Sequence, residues 1–141
     1  MGRTVIALAI SALALVCVVA ANAATARTVK FEIALKGTNE KPAAPASNKG
    51  RVELTLNTTT GKVCWDFKLA KIDGKPSQAH IHKGKAGVSG NIVVPLGANY
   101  KRQGCTSAAK SLVKSIAGHP AFFYVNVHNA KHPLGAMRGQ L

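Results

Sequence analysis

Apolar and polar residues alternate with a period of two in run after run of this sequence, and that pattern sets the fold class. Val29, Phe31, Ile33 and Leu35 alternate with Lys30, Glu32, Ala34 and Lys36; Val52, Leu54 and Leu56 alternate with Arg51, Glu53 and Thr55. Val63, Trp65, Phe67 and Leu69 alternate with Cys64, Asp66 and Lys68, and Phe123, Val125 and Val127 with Tyr124, Asn126 and His128. Successive side chains of a strand point to opposite faces, so each run reads as a half-buried β-strand. Thr58-Thr59-Thr60-Gly61 joins the second run to the third as a hairpin. Ala79–His82, Ile92–Leu96 and Ala136–Leu141 supply three shorter strands, with Pro95 placing its strand near an edge or end. Residues 107–117 break the pattern: Ala108, Ala109, Leu112, Val113 and Ile116 fall at helical spacing. Thr106 or Ser107 is placed to cap that helix, and Gly118 with Pro120 stops it. Seven strands and one short helix predict an all-β, antiparallel β-sandwich in one domain.

The domain does not use the whole chain of 141 residues. Arg3 precedes a run, Val5 to Ala21, in which every residue but Ser11 is apolar, and Ala21-Asn22-Ala23 follows as a small-x-small cleavage pattern. This is the anatomy of an export signal. The run is marginal for a membrane span and no charged block follows it, so residues 1–23 are expected to be cleaved, with a cut after Ala26 as the rival. No membrane anchor is then expected in the mature chain, 24–141, which would be periplasmic or extracellular. Cleavage would remove Cys17 and leave Cys64 and Cys105 in an oxidising compartment, where an even number of cysteines usually pairs as a disulfide.

Five histidines carry the only concentrated chemistry. His80 and His82 are two apart on one strand and share a face, while Ile81 points to the core. Val125 and Val127 likewise leave Asn126 and His128 on the opposite face of their strand. If the two strands are neighbours, His80, His82 and His128 converge, a set suited to copper or zinc. Spacing alone favours instead a structural hydrogen-bond network, with Asn126, Gln78 or a loop carbonyl as partners, and leaves metal binding as the alternative. His119 reads as a helix cap, and His132 as an accessory ligand at most. The five acidic residues are scattered, no Gly-x-Ser-x-Gly elbow occurs, and the glycines at 84, 87 and 90 lack the ending of a phosphate loop. No catalytic residue is identified, and the expectation is a non-enzymatic binding module.

Two stretches together resemble a known family. Ala79-His-Ile-His-Lys-Gly-Lys-Ala-Gly-Val-Ser-Gly-Asn-Ile-Val-Val-Pro-Leu96 is one, and Phe123-Tyr-Val-Asn-Val-His128 with Gly135-Ala-Met-Arg-Gly-Gln-Leu141 is the other. They are similar to the CHRD (chordin) domain, over about residues 28–141, and the loop around Glu40 and Pro42 and the two cysteines also fit. The matching motif residues are Gly84, Gly87, Gly90, Asn126, Arg138, Gly139 and Gln140. Ala136 departs from the pattern, which usually has Glu there and so a possible ion-pair partner. The resemblance implies an exported bacterial type of protein with a Greek-key sandwich like that of immunoglobulins or superoxide dismutases. The His-x-His strand is similar to the copper-ligand strand of Cu,Zn superoxide dismutases, which sets His80 and His82 as a ligand pair and His128 as the third. No His/Asp-rich zinc loop accompanies them, so dismutase activity is not expected.

Charge narrows the partners. The sequence has 19 Lys and Arg against 5 Asp and Glu, a net charge of +14, which falls to +13 when Arg3 leaves. Lysines outnumber arginines 14 to 4 after residue 23 and are spread along the chain. Nucleic-acid binders more often cluster Arg with stacking aromatics, and export removes the chain from cytosolic DNA and RNA. Nucleic acid is therefore disfavoured; the charge reads either as a soluble, lysine-coated face or, functionally, as attachment to anionic envelope or matrix polymers. Lys83 and Lys85, flanking the His-x-His strand, would oppose a bare cation there but attract an anionic ligand.

Overall fold

The computed structural model describes residues 27–141. The apolar N-terminal run and its cleavage pattern lie outside the described residues. Eight strands form: β1 (Thr28–Lys36), β2 (Lys49–Asn57), β3 (Lys62–Lys71), β4 (Pro76–Lys83), β5 (Ile92–Pro95), β6 (Gln103–Ser107), β7 (Phe123–Asn129) and β8 (Met137–Gln140). One α-helix, α1 (Lys110–Gly118), lies between β6 and β7. Among the described residues no helix is long and apolar enough to cross a membrane.

The strands make a single sheet in the order β5-β4-β7-β8-β1-β2-β3-β6. All its pairings are antiparallel. The expected seven strands are all present; the eighth, β6, is an addition. Residues Gln103-Gly-Cys-Thr-Ser107 carry no apolar alternation, and their strand exists because it pairs with β3 at the sheet edge, with Cys105 directly opposite Cys64. Those two cysteines form the expected disulfide. Their strand also moves the helix start: the N-cap is Ala109, without a side-chain cap, and Thr106 and Ser107 belong to β6.

In place of two separate sheets, the single sheet curls until it is nearly closed, barrel-like, around one core. Ile33, Leu35, Val52, Leu54, Leu56, Phe67, Ile81, Val125, Val127 and Met137 meet there, and α1 adds Val113 and Ile116. The seam between the edges is bridged by residues 96–102. Leu96 and Tyr100 N–H donate to the Ala79 and Ser77 carbonyls of β4 at 2.9 and 2.8 Å, and Phe67 N–H of β3 donates to Arg102 at 2.7 Å. Trp65 Nε1 donates to the Lys101 carbonyl at 3.0 Å. Gly139 has to be glycine because a Cβ would collide with the Ala34 carbonyl of β1, where β8 and β1 come together.

The β4-β7-β8 part of the sheet is buried on both faces. Ala79, Ile81, Val125, Val127 and Met137 fill the interior, yet His80, His82, Tyr124, Asn126 and Arg138 on the outer face are also buried. The loops 37–48, 84–91 and 130–136 bring their backbones and side chains against that outer face. A buried face made of polar side chains must be hydrogen-bonded throughout or be completed by something else.

Candidate metal centre

The site starts from strand register. His80 stands opposite Asn126, His82 opposite Tyr124, and Gln78 opposite His128. With β4 and β7 adjacent, the same-face pair of β4 lies diagonally against His128. Ring centroids are 4.9 Å apart for His80 and His128, 5.6 Å for His80 and His82, and 6.1 Å for His82 and His128. One ring nitrogen from each histidine lies within 4.8 Å of the others. The convergence anticipated from the spacing is realised.

Backbone carbonyls set the tautomers. His82 Nδ1 lies 2.8 Å from the Gly90 carbonyl and His128 Nδ1 lies 2.9 Å from that of Pro133. A carbonyl only accepts, so in each neutral ring Nδ1 carries the proton and Nε2 keeps its lone pair. His82 Nε2 and His80 Nδ1 are buried with no hydrogen-bond partner. His128 Nε2 lies 3.0 Å from the Asn126 side-chain amide, whose oxygen and nitrogen are interchangeable; a lone pair there takes the NH2 end. Thus the loop carbonyls and Asn126 supply part of the structural network, and two buried nitrogens remain outside it. Burial holds all three imidazoles below their usual pKa, and the neighbouring rings add to this at His80, which falls to about 4. His82 Nε2 keeps a lone pair beside the other two rings, whereas that of His128 Nε2 is engaged by Asn126, which a cation would have to displace.

The ring positions are enforced from outside. Tyr124 stacks on His82 at 4.8 Å with planes 9° apart. The Arg138 guanidinium covers Tyr124 at 4.4 Å. Gly90 N–H donates to Tyr124 Oη at 3.1 Å while its carbonyl accepts from His82. A side chain at Gly90 would collide with the Lys83 carbonyl, so only glycine lets the 84–91 loop lie this close to β4. Arg138 Nε in turn donates to Glu40 Oε2 at 2.7 Å. Burial pushes the Glu40 carboxyl up, against the pull of Arg138. This pairing resolves the departure at Ala136: Arg138 is paired by Glu40, and Ala136 is fully buried.

Other expected residues lie elsewhere. His132 stays outside the triad, with Nε2 3.6 Å from Asp73 Oδ2. His119 is the C-cap of α1. Lys85 lies over the Phe122 ring at 5.1 Å, and Lys83 is exposed. Gln140 binds the Gly84, Ala121 and Phe123 carbonyls, tying β8 to the loops. Sequence reasoning missed the role of Tyr124, although its parity with Asn126 and His128 places it on the same face. It also missed the pairing of Glu40 with Arg138, which bridges 98 residues and leaves no local mark.

Fold and site define a class: a small all-β module whose curled sheet carries a buried polar outer face with an imidazole cluster. The family is narrower. The CHRD domain model matches residues 31–141, and the chain belongs to the CHRD domain family. No curated protein and no solved structure is significantly similar to it.

Proposed function

We propose that the protein is an exported, non-enzymatic binding module that holds one copper or zinc ion on ring nitrogens of His80, His82 and His128. The observation that carries this reading is the set of three mutually close ligand atoms with neighbouring buried nitrogens left unpartnered. An unpaired buried polar group costs about 1–3 kcal/mol, and a bound cation would relieve it. The carbonyl partners of His82 and His128 are the outer contacts that metal-binding imidazoles commonly have. Three neutral nitrogens suit Cu(II) and Zn(II) alike and leave a position for a further ligand. Export to the periplasm or outside the cell is supported by the N-terminal run and by the disulfide. The greater likeness to exported bacterial members and to dismutase copper strands is part of the same proposal.

Titration of chelator-stripped protein with Cu(II) and Zn(II), followed by calorimetry and electron paramagnetic resonance, tests it. One equivalent with a nitrogen-rich copper spectrum is expected, lost in His80→Ala and His128→Ala. No binding by wild type, or equal binding by variants that keep wild-type circular dichroism, would overturn the reading.

A second reading concerns partners. Every Asp and Glu is paired: Glu32 with Arg51, Glu40 with Arg138, Glu53 with Lys68, Asp66 with Arg102 and Asp73 with Lys131. That leaves 13 of the 18 lysines and arginines among the described residues without an acidic partner. This uncompensated charge favours anionic envelope or matrix polymers, with binding that weakens steeply as salt rises.

A further inference from the structure

A cleft of about 230 Å³ opens over β8, between residues 38–41 and the 84–91 loop. Thr38, Asn39, Lys41, Gly87, Arg138 and Gln140 line it, and no Asp or Glu is among the lining residues. Arg138 is only 4% exposed. It has five N–H donors, and three are engaged: Nε with Glu40 at 2.7 Å, Nη1 with the Val88 carbonyl at 3.0 Å, and Nη2 with Ser89 Oγ at 3.4 Å. One N–H on each terminal nitrogen is left, on a buried guanidinium that forms part of the cleft wall. Lys41, on the same wall, has no acidic partner within ion-pair distance.

The remaining groups complement hydroxyls. Asn39 Nδ2 is committed to the Arg138 carbonyl at 3.3 Å, which leaves Oδ1 as an acceptor. Gln140 Nε2 is committed to backbone carbonyls, which leaves Oε1. Thr38 Oγ1 can accept or donate. The uncompensated Lys41 and the two free N–H groups of the Glu40-paired Arg138, beside amide acceptors and a hydroxyl, recognise an oxyanion carried on a polyhydroxylated frame. The volume is below the ~300–1,000 Å³ typical of drug-sized pockets, so it holds one ring rather than an oligomer.

We propose that this cleft binds a monosaccharide-sized organic anion, a sugar ring bearing a carboxylate, through Arg138 and Lys41. The inference rests on the anionic-partner reading and narrows it to one place; it is independent of the metal reading, because none of the three histidines lines the cleft.

The test is calorimetric and saturation-transfer NMR titration of chelator-treated protein with glucuronate, glucose and inorganic phosphate at low salt. Lys41→Ala is the probe variant and Lys75→Ala the charge-matched control. Saturable millimolar binding of glucuronate is expected, with glucose and Lys41→Ala each weaker by about tenfold, and Lys75→Ala unchanged. No saturable glucuronate binding would overturn the proposal. So would an equal loss in Lys75→Ala, or phosphate binding as tight as glucuronate. Salt-sensitive capture of polymeric uronate that Lys41→Ala leaves untouched would also overturn the cleft while preserving the diffuse-charge reading. Glucuronate binding without polymer binding would do the reverse.

Discussion

Removing one partner of the Glu40–Arg138 pair is the sharpest perturbation of this fold. Glu40 is 1% and Arg138 4% exposed, so the pair lies in the buried regime, where loss of one partner strands the other charge and costs about 3–5 kcal/mol. An exposed pair such as Lys68–Glu53 would be worth about 0–1 kcal/mol. With an unfolding entropy of ~2.1 cal/mol/K per residue, the 115 described residues give about 0.24 kcal/mol/K. Glu40→Leu or Arg138→Met should then lower Tm by about 12–20 °C. The double variant Glu40→Leu/Arg138→Met should be less destabilised than either single variant. Burial raises the Glu40 carboxyl despite Arg138 and the Lys41 backbone, and Glu40 Oε1 is left without a hydrogen bond, so apolar replacement of both partners removes a desolvation cost that a single replacement leaves in place. Urea denaturation of the four proteins, read as a double-mutant cycle, gives the coupling. Single variants within about 1 kcal/mol of wild type, or costs that simply add, would refute the argument.

Two further outcomes follow from the site and the staple. In metal-free protein, His80 should make stability fall as pH drops. Above pH 6.5 its ring is neutral in both states; below that the unfolded ring protonates first and the folded ring only near 4, so the gap costs about 3 kcal/mol. Urea midpoints across that window should be flatter for His80→Asn than for wild type, and an identical pH slope would sink the assignment. The Cys64–Cys105 bridge spans 41 residues, for which loop closure is worth about 4 kcal/mol. Cys64→Ala/Cys105→Ala should lose stability of that order in calorimetry, and an unchanged Tm would contradict it.

Much of the molecule could be read from side-chain parity. Four strands followed from alternation because each has a core face, three shorter ones were read beside them, and the His80–His82–His128 cluster followed because parity put all three on outer faces of strands that are neighbours. β6 was hidden because an edge strand of Gln, Gly, Cys, Thr and Ser is specified by its partner rather than by its own pattern. The single curled sheet was hidden for a related reason: residues 96–102 join its edges with backbone hydrogen bonds, which any side chains permit. Burial of the outer face was equally hidden, since alternation reports polarity and not the loop that later covers it.

The bridged seam also bears on how the protein meets its own copies. A sheet invites another chain wherever a strand leaves a row of unpaired backbone groups. Here the two outermost strands have only four and five residues. Pro95 removes a donor from one of them, and the other is bonded covalently to its neighbour. Residues 96–102 occupy the carbonyls of β4 that β5 leaves uncovered, and their Arg102 carbonyl takes an N–H of β3 beyond β6. A second molecule therefore finds little template on which to add a strand. Association between copies is left to side chains, whose charged members are mostly positive and repel one another.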